Sequence, residues 1–373
     1  INTGTGAGDV TFAGALESNG SNNDLLVITS GAGDVTFTGA VGATNALGGL
    51  DVNSSAGDGD ITFSSTIGDS GNAGVVGTTA IGGTATEDVN LAGLIYKFDG
   101  GTTITAADGD NIKLTGTGNV TFTTAADAIE FATGHIHLAN GSNLVVDTGA
   151  TGGNITIAEI AGTSQETVTL DAGTGTTSVG AIGSGTEIGN LSIGSDENGG
   201  ITLNGAIVTD GTVLIDGPVT LATGAISVTT ADDTITFNHT INGTQTLTLE
   251  SGSAAIKLDD AIGSSTALTA LTVNNTGTGT IEVNDIGTSS ASGVSGLTVL
   301  GNANTSSLTT DGTNYDFGGG VTIGTDFTVA GSPLASSFTT SGNVSFLGNV
   351  VIDGTFTVNS GGGDISIAGN VTS

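Results

Sequence analysis

A short pattern recurs along the whole chain: a large apolar residue, a Thr, and a second large apolar residue. Alternation with a period of two is typical of a β-strand, because successive side chains point to opposite faces. The two apolar side chains are expected to point inward and the Thr outward, and β-branched residues suit such a surface. The pattern occurs at residues 10–12, 35–37, 61–63, 120–122, 155–157, 168–170, 201–203, 219–221, 235–237, 247–249, 271–273, 297–299, 321–323, 327–329 and 356–358. Apolar residues do not recur at helical spacing, and Gly and Thr are poor helix formers, so the sequence predicts a nearly all-β protein.

The pattern belongs to a longer internal repeat. Gly-Asp-Val-Thr-Phe at 8–12 returns at 33–37 and, with Ile in place of Val, at 59–63. A period of about 25 residues indicates a solenoid, a propeller or another repeat array. A looser echo links residues 40–52 with 261–273, where Gly and Leu residues recur in a similar order.

Three architectures compete for a repeat of this kind. A β-propeller would have longer strands and a Trp- or His-containing signature, and tandem Ig-like domains would have a period of about 100 residues with a core Trp or Tyr. The chain has no Trp and 2 Tyr. The sequence therefore favours an all-β, elongated parallel β-helix (β-solenoid) with short strands and corners of Gly, Asn or Asp. Its hand is predicted to be right-handed from the general rule for parallel crossovers. Stacking built on hairpins is the alternative left open by the Asn-Gly and Asp-Gly pairs.

The domain organisation follows from where the repeat weakens. Residues 1–373 are predicted to form a single solenoid, because no linker-like change in composition divides them. The segment 69–101 departs from the pattern, since it is rich in Gly and then carries an apolar run at 91–98. We expect this segment to leave the solenoid as a loop or hairpin.

The charge balance excludes several classes of function. The chain carries 36 Asp and Glu against 3 Lys and no Arg, a formal net charge of -33. Nucleic acids and anionic membrane surfaces would repel such a chain, and the cations that phosphoryl transfer requires are missing. No Cys is present, which rules out disulfides and thiolate metal sites. The apolar runs are too short to cross a bilayer, so no membrane insertion is predicted.

Acidic residues at the predicted corners are the candidate metal ligands. Ca²⁺ prefers several carboxylate and carbonyl oxygens, and Asp58, Asp60, Asp108 and Asp110 offer carboxylates in two close pairs. We therefore name these four as a candidate Ca²⁺ site, against the simpler interpretation that they are solvated corner residues. His135 and His137 would lie on one strand face, without an evident third ligand. No pair of acids stands out for hydrolysis, so no catalytic residue is assigned and an enzyme is not predicted.

At this level the sequence is similar to a family. The run Gly-Asp-Val-Thr-Phe-Thr-Gly-Ala-Val-Gly at 33–42, with Leu47, Leu50 and Val52 following, resembles the β-strand-repeat surface proteins of Gram-negative bacteria, the filamentous-haemagglutinin-type adhesins and large autotransporter passengers. The resemblance covers nearly the whole chain and lies in composition and period. It implies a right-handed β-helical rod, export to the cell surface, and a role in adhesion or a surface coat. The Asn-Pro-Asn-Gly-type motifs of that family's secretion domain do not occur in these residues.

Two functions follow as expectations. The first is a non-enzymatic extracellular structural protein, a subunit or segment of a bacterial surface filament or surface layer that self-associates end to end or with flanking repeats. The second is the shaft of a large secreted adhesin, whose partner would be a glycan or cell-surface receptor. In both, the net charge of -33 opposes association, so assembly should require salt or divalent cations.

Overall fold

The structure, a computed structural model, describes residues 1–20, 24–53, 57–163, 165–194, 199–273, 279–329 and 335–373. The chain divides into two compact units, Ile1–Gly199 and Gly200–Ser373, called here unit 1 and unit 2. The described residues contain β-strands and no α-helix. Accordingly, no helix within these ranges has the length and apolar character needed to span a membrane.

The described residues of unit 1 form eighteen short strands. They are β1 (Val10–Phe12), β2 (Leu25–Ile28), β3 (Val35–Phe37), β4 (Gly49–Val52), β5 (Ile61–Phe63), β6 (Thr79–Ile81), β7 (Val89–Leu91), β8 (Ile95–Lys97), β9 (Thr102–Ile104), β10 (Asn111–Leu114), β11 (Gly118–Thr123), β12 (Ile129–Phe131), β13 (His135–Leu138), β14 (Ser142–Asp147), β15 (Ile155–Ala161), β16 (Val168–Asp171), β17 (Thr177–Ile182) and β18 (Leu191–Ile193).

The strands of unit 1 form three parallel ladders, and one winding of the chain, called here a rung, adds a strand to each. Strands β1, β3, β5, β7, β10 and β13 form the first ladder. The second contains β2, β4, β6, β9 and β12, and the third contains β8, β11, β14, β16 and β18. Strand β15 pairs with both β12 and β13, so it spans the corner between the first two ladders. Unit 1 is therefore a parallel β-solenoid.

In unit 2, the part of the chain that the structure describes forms twenty-two strands. They are β19 (Ile201–Leu203), β20 (Ile207–Thr209), β21 (Val213–Ile215), β22 (Val219–Leu221), β23 (Ile226–Thr230), β24 (Ile235–Phe237), β25 (Ile241–Asn242), β26 (Thr246–Glu250), β27 (Ile256–Leu258), β28 (Ala270–Val273), β29 (Thr280–Val283), β30 (Thr298–Leu300), β31 (Ser307–Thr310), β32 (Asn314–Phe317), β33 (Val321–Ile323), β34 (Phe327–Val329), β35 (Ala335–Thr340), β36 (Val344–Phe346), β37 (Val350–Ile352), β38 (Thr355–Asn359), β39 (Ile365–Ile367) and β40 (Val371–Thr372).

Unit 2 is a parallel β-solenoid of the same kind. One ladder runs through β20, β23, β26, β28, β30, β33, β36 and β39. A second runs through β21, β24, β27, β29, β31, β34, β37 and β40. The third contains β19, β22 and β25 and, further along, β32, β35 and β38. The all-β parallel solenoid predicted from the sequence is confirmed, and parallel pairing replaces the hairpin alternative.

The core consists of side chains stacked in columns from rung to rung. Most strands of three residues bury their first and third side chains and leave the middle one half-exposed, as in Val35–Phe37. The rings of Phe12, Phe37 and Phe63 lie in one column, with centroids 4.9 and 4.5 Å apart and nearly parallel planes. In unit 2, the rings of Tyr315 and Phe338, which are register partners on paired strands, have centroids 4.9 Å apart. Like side chains therefore stack on like, which is the arrangement expected of parallel strands in register.

Both units contain the same rung signature, Gly-x-x-Tyr-x-Phe, at residues 93–98 and 312–317. In each, the buried Tyr hydroxyl accepts a hydrogen bond from the Gly N–H, at 2.9 Å for Tyr96 and 2.8 Å for Tyr315. Each Tyr also forms a parallel bridge to the rung before it. A buried Tyr needs a partner for its hydroxyl, and both units supply it in the same way.

The rungs next to this signature also match. Gly42 and Gly263 have φ values of +63° and +67°, and a Cβ on either would lie 2.0 Å from a carbonyl oxygen, that of Gly74 or Gly293. Only Gly fits such a position, because it tolerates positive φ and permits close approach of backbones. The sequence echo between 40–52 and 261–273 is thus a repeated structural unit.

The triplet at 297–299 is predicted in the wrong register. The strand is β30, one residue later: Thr298 and Leu300 are buried, and Leu297 is 55% exposed. The apolar alternation favours burial of Leu297 and Val299, whereas the observed register buries Thr298 in place of an apolar residue, so the sequence pattern alone gives the wrong register. Pairing with the preceding rung decides it, because Thr298 lies opposite Leu271, and a shift of one residue moves every side chain to the other face.

The segment 69–101 does not leave the solenoid as a hairpin. It supplies β6, β7 and β8, which pair in parallel with the rungs on either side. What projects is the short loop at 69–73, closed by a 3.0 Å hydrogen bond from the N–H of Asp69 to the carbonyl of Asn72. Three of the Gly residues that suggested a loop serve close packing instead: a Cβ at Gly74, Gly77 or Gly82 would lie 2.2, 2.1 or 2.0 Å from a backbone atom. The hand of the winding and one continuous solenoid over residues 1–373 stay predictions.

Candidate functional site

The corner that precedes the first ladder of unit 1 carries a column of Asp side chains. The Oδ1 atom of Asp9 accepts a hydrogen bond from the backbone N–H of Asp34 at 3.1 Å. The same bond links Asp34 to Asp60 and Asp60 to Asp88, each at 3.0 Å. Asp88 in turn accepts the N–H of Asn111 at 3.0 Å. Each side chain therefore satisfies a backbone donor of the following rung.

The position of these residues explains the arrangement. Each is the last residue before the first inward-pointing side chain of a strand, where the chain has just turned a corner. A short side chain with an oxygen two bonds beyond Cβ can follow the ladder direction and reach the next rung, as Asp and Asn do when they bond nearby backbone groups. The Gly-Asp pairs of the repeat are thus inter-rung connections, and we call these columns the Asx columns.

Asn side chains accept backbone N–H groups of the next rung in the same way. In unit 2 the Oδ1 of Asp326 accepts the N–H of Asn349 at 2.8 Å, and the Oδ1 of Asn349 accepts the N–H of Asn370 at 2.9 Å. A second column joins Asn343 to the N–H of Asp364 at 2.9 Å. Asp and Asn both accept the N–H of the next rung because both present an Oδ1 acceptor. Asn349 also donates its amide to the Asp326 carboxylate at 3.1 and 3.2 Å.

The Asx columns also account for three Asn-x-Thr/Ser sequences that resemble glycosylation sequons. Asn119, Asn154 and Asn343 each precede an apolar residue and then Thr or Ser, which is the column residue followed by an inward and an outward position. Asn154 accepts the N–H of Thr176 at 3.0 Å, and the amide of Asn143 donates to Asn119 at 3.0 Å. These sequons therefore arise from the structural repeat.

Stacked carboxylates repel each other, and Lys side chains offset this repulsion where they form ion pairs with them. Lys113 lies one rung above Asp88 and forms an ion pair with it. Burial raises the pKa of the Asp88 carboxyl, but hydrogen bonds from Lys113 and from the N–H of Asn111 outweigh it, so the net pKa is lowered. Lys257 pairs with Glu282 at 3.6 Å. The field around the described residues is consequently strongly negative.

The four candidate Ca²⁺ ligands lie in different settings. Asp60 belongs to the Asx column and is half-buried, whereas Asp58 is exposed and its N–H donates to Gly31 at 3.0 Å. Asp108 is exposed, and the carbonyl oxygen of Asp110 accepts the N–H of a residue in the next rung. Within the described ranges, no group of three or more His, Asp or Glu side chains is placed to hold a metal ion. Ca²⁺ binding by these residues stays a prediction.

The two His residues that share a strand differ in their partners. His135 is half-exposed, and its Nδ1 lies 2.9 Å from the Oε2 of Glu159 in the next rung. His137 is exposed. Their placement on one outward face agrees with the period-two expectation.

Sequence reasoning did not find the buried carboxylate of Glu166. This side chain is fully buried. Its Oε2 accepts the N–H of Thr163 at 2.6 Å and that of Gln165 at 3.3 Å, while its Oε1 accepts the Thr163 hydroxyl and the N–H of Gly141 at 3.3 Å. Burial raises the pKa of Glu166, but these donors outweigh it and lower the pKa. No local pattern marks such a residue, because one of its partners comes from the preceding rung.

The comparisons with known proteins add no relative. No protein-family model, curated protein or solved structure matches the chain. The class of the protein is therefore defined by its fold, a parallel β-solenoid, which is compatible with β-helical surface proteins.

Proposed function

We propose that this chain is a non-enzymatic structural protein of the cell exterior, a segment or subunit of a bacterial surface filament or surface layer. The observation that carries the proposal is the Asx column. In both units, a side chain at the corner of one rung is bonded to the backbone of the next, in addition to the ladder hydrogen bonds.

Such an arrangement suits a load-bearing element. In a repeat protein, stability is approximately a sum of terms within each repeat and between neighbours. Each Asx bond adds to the term between neighbours, and a hydrogen bond to a charged acceptor typically contributes about 1.5–3 kcal/mol when it is shielded from water and less at exposed corners. A stiff, acidic surface that resists non-specific association fits a protein exposed on a cell.

The shaft of a secreted adhesin is the second candidate. It is favoured by the loop at 69–73, which projects from the ladders of unit 1, and by its counterpart at 288–292 in unit 2. Both loops carry exposed residues, including Ser70 and Ser289. A glycan or receptor-binding function would place recognition at these loops.

The location is tested by immunolabelling of intact cells of the organism that encodes the chain. Antibodies raised against the folded chain are expected to label intact cells, whereas antibodies against a cytoplasmic protein label only permeabilised ones. Continuous fibres or a regular layer in electron micrographs of the labelled surface would support the structural role, and scattered single projections would support the adhesin shaft. Labelling only after permeabilisation would overturn both.

A further inference from the structure

A similar surface cleft occurs in both units, beside the projecting loops at 69–73 and 288–292. In unit 1 the cleft is lined by two loop residues and by outward side chains of β8 and β11, namely Asp69, Ser70, Ile95, Lys97, Thr121 and Thr123. In unit 2 the corresponding cleft is lined by Thr288, Ser289, Asn314, Asp316, Ser337 and Thr339. A loop and two adjacent strands therefore form a cleft at the same place in each unit.

The two clefts correspond because both belong to the rung with the Gly-x-x-Tyr-x-Phe signature. The strand that carries the Tyr, β8 or β32, is paired in parallel with the next strand of its ladder, β11 or β35. In each cleft the loop supplies a Ser hydroxyl. The next strand supplies two outward hydroxyls, from Thr121 and Thr123 in unit 1 and from Ser337 and Thr339 in unit 2. The cleft and its hydroxyl groups are thus part of the repeated rung.

Size and charge distinguish the two clefts. The cleft in unit 1 has a volume of about 420 Å³ and the cleft in unit 2 about 140 Å³. Cavities that bind small molecules typically have about 300–1,000 Å³, so the cleft in unit 1 is the one large enough for a ligand. The equivalent of Lys97 in unit 2 is Asp316, which accepts a hydrogen bond from the Ser292 hydroxyl at 3.0 Å.

Lys97 brings a cation into the cleft of unit 1. The other two Lys residues of the chain, Lys113 and Lys257, form ion pairs with carboxylates. Lys97 is half-buried and, within the described ranges, forms no ion pair. Its Nζ donates one long hydrogen bond, of 3.5 Å, to the carbonyl oxygen of Ser70. An ammonium group has three donors, so Lys97 retains donors for a molecule in the cleft.

Asp69 supplies a complementary acceptor. Its Oδ1 accepts the backbone N–H groups of Asn72 and Gly71, both at 2.7 Å, which fixes the shape of the loop. These hydrogen bonds lower the pKa of the Asp69 carboxyl, so the group is charged at neutral pH and its Oδ2 can accept a further donor. The cleft therefore combines one cation, one anion, three hydroxyls and the apolar side chain of Ile95.

We propose that the cleft of unit 1 binds a neutral sugar residue of a glycan. Each hydroxyl of a sugar both donates and accepts hydrogen bonds, so a neighbouring pair of hydroxyls matches the ammonium of Lys97 and the carboxylate of Asp69. The apolar C–H face of the sugar ring packs on Ile95, and the hydroxyl side chains of the cleft bond to the remaining sugar hydroxyls. This inference deepens the second candidate function, the adhesin shaft, and rests on it.

Charge favours a neutral glycan over an acidic one. The charges of Lys97 and Asp69 offset each other within the cleft, and the chain as a whole has a net charge of -33. Such a field repels sulfated and carboxylated glycans, whereas it leaves the approach of an uncharged glycan unopposed.

The binding surface extends beyond one sugar ring. A second cleft, also of about 420 Å³, is lined by residues 71–73 of the same loop, by Asn45 and Asp99, and again by Lys97. Because Lys97 lines both clefts, neighbouring sugars of one chain can occupy them together. We therefore expect an oligosaccharide to bind more tightly than a monosaccharide.

An array of immobilised oligosaccharides tests the ligand class. The array carries neutral oligosaccharides that end in glucose, galactose, mannose, fucose or an N-acetylhexosamine, beside sialylated and sulfated ones. The chain has no Cys, so the full chain is biotinylated at one introduced residue, Ser366→Cys, because labelling of amines would modify Lys97. Display on streptavidin raises the avidity of weak single sites. Binding to neutral oligosaccharides of at least one type is expected, without binding to the acidic ones.

Four variants assign the binding to the cleft, measured as the apparent Kd for the neutral oligosaccharide that binds best. Lys97→Gln is expected to weaken binding about tenfold and Thr123→Val about threefold, as the loss of a charged and of a neutral hydrogen bond. Lys257→Gln removes another outward Lys, and Thr339→Val is the equivalent of Thr123→Val in the smaller cleft; both are expected to leave binding unchanged. All four positions are outward and half-exposed, and urea unfolding midpoints establish that the variants are folded.

The outcomes separate this site from the function on which it rests. Binding to no oligosaccharide, binding confined to acidic ones, or equal losses for Lys97→Gln and Lys257→Gln would each overturn the proposal. Surface labelling of intact cells without glycan binding would reject only this site. Glycan binding by a chain that is labelled only in permeabilised cells would reject the adhesin function and support the cleft.

Discussion

The Phe column of unit 1 makes a quantitative prediction about stacked aromatic rings. Phe37 is buried and stacks on two rings, at 4.9 and 4.5 Å, while Phe12 is only half-buried and stacks on Phe37 alone. An aromatic pair contributes about 0.5–1.5 kcal/mol beyond the area it buries. Replacement by Leu keeps most of the volume and costs roughly 1 kcal/mol for the change of shape in a packed core. Phe37→Leu, which loses two ring pairs and the core packing, should therefore lower the free energy of unfolding of unit 1 by about 3 kcal/mol. Phe12→Leu loses one ring pair and little core packing, because Phe12 is half-buried, and should lower it by about 1–1.5 kcal/mol.

Urea unfolding followed by Tyr fluorescence measures this difference. Each unit has one buried Tyr, so in a Tyr315→Phe background the signal comes from Tyr96 and reports on unit 1. With an m-value of about 3 kcal/mol/M, the midpoint should fall by about 1 M for Phe37→Leu and by about 0.4 M for Phe12→Leu. The Tyr315→Phe protein itself is the reference for both variants.

Equal losses for the two variants would refute the reasoning. They would show that the number of stacked partners does not matter and that the column contributes only buried area. A change in m-value for Phe37→Leu alone would also count against it, because it would mean that neighbouring rungs had separated rather than lost a contact.

Three other variants probe the corners and the core. Glu166→Gln should lower the stability of unit 1 by about 1–3 kcal/mol in urea unfolding, because an amide NH₂ would face N–H and O–H donors; an unchanged midpoint would contradict the buried-carboxylate arrangement. Burial raises the pKa of Tyr96 and Tyr315. The stability that the neutral hydroxyls contribute is therefore fully present below a pH of about 10 and falls as the pH rises above it. Tyr96→Phe should remove this alkaline loss in unit 1, and tyrosinate absorbance should appear at a higher pH in the folded protein than in the protein unfolded in urea. Gly42→Ala should lower the free energy of unfolding by more than about 3 kcal/mol, because its Cβ would overlap backbone atoms and its φ is positive. Gly14→Ala, with open space at its Cβ, should be nearly neutral, and thermal unfolding of both variants measures the difference.

Strand existence and fold class were predictable because each rung buries its own short apolar pattern. Val35–Phe37 and Ile61–Phe63 are strands with the predicted faces. The register prediction failed at 297–299, because the strand buries Thr298 in place of an apolar residue and the pairing with the neighbouring rung sets its register. The segment 69–101 was misjudged for a related reason, since Gly residues that permit close packing of rungs look like loop residues in sequence.

The candidate site was less predictable. The Gly-Asp corners were visible, but a carboxylate at a corner can be solvated, can bind a metal, or can bond to a neighbouring rung. The bond from Asp34 to the N–H of Asp60 depends on a residue a full rung away. Sequence spacing gives the period of such residues, whereas the hydrogen-bonded partner follows only from the register of the ladders. Glu166 was invisible for the same reason, because its partner Gly141 lies in another rung.

The Asx columns also bear on how such a protein would age. Asn is among the chemically labile residues, and its slow hydrolysis to Asp ordinarily introduces a charge and alters local structure. At Asn349 the group that holds the next rung is Oδ1, the atom that Asn and Asp share. Deamidation to Asp there would keep the acceptor for the N–H of Asn370, but it would remove the amide hydrogen bonds of 3.1 and 3.2 Å that Asn349 donates to the Asp326 carboxylate and would place two carboxylates side by side. An ageing chain of this kind would become more acidic along its Asx columns, and the contact with the preceding rung would weaken at each Asn that donates to a carboxylate.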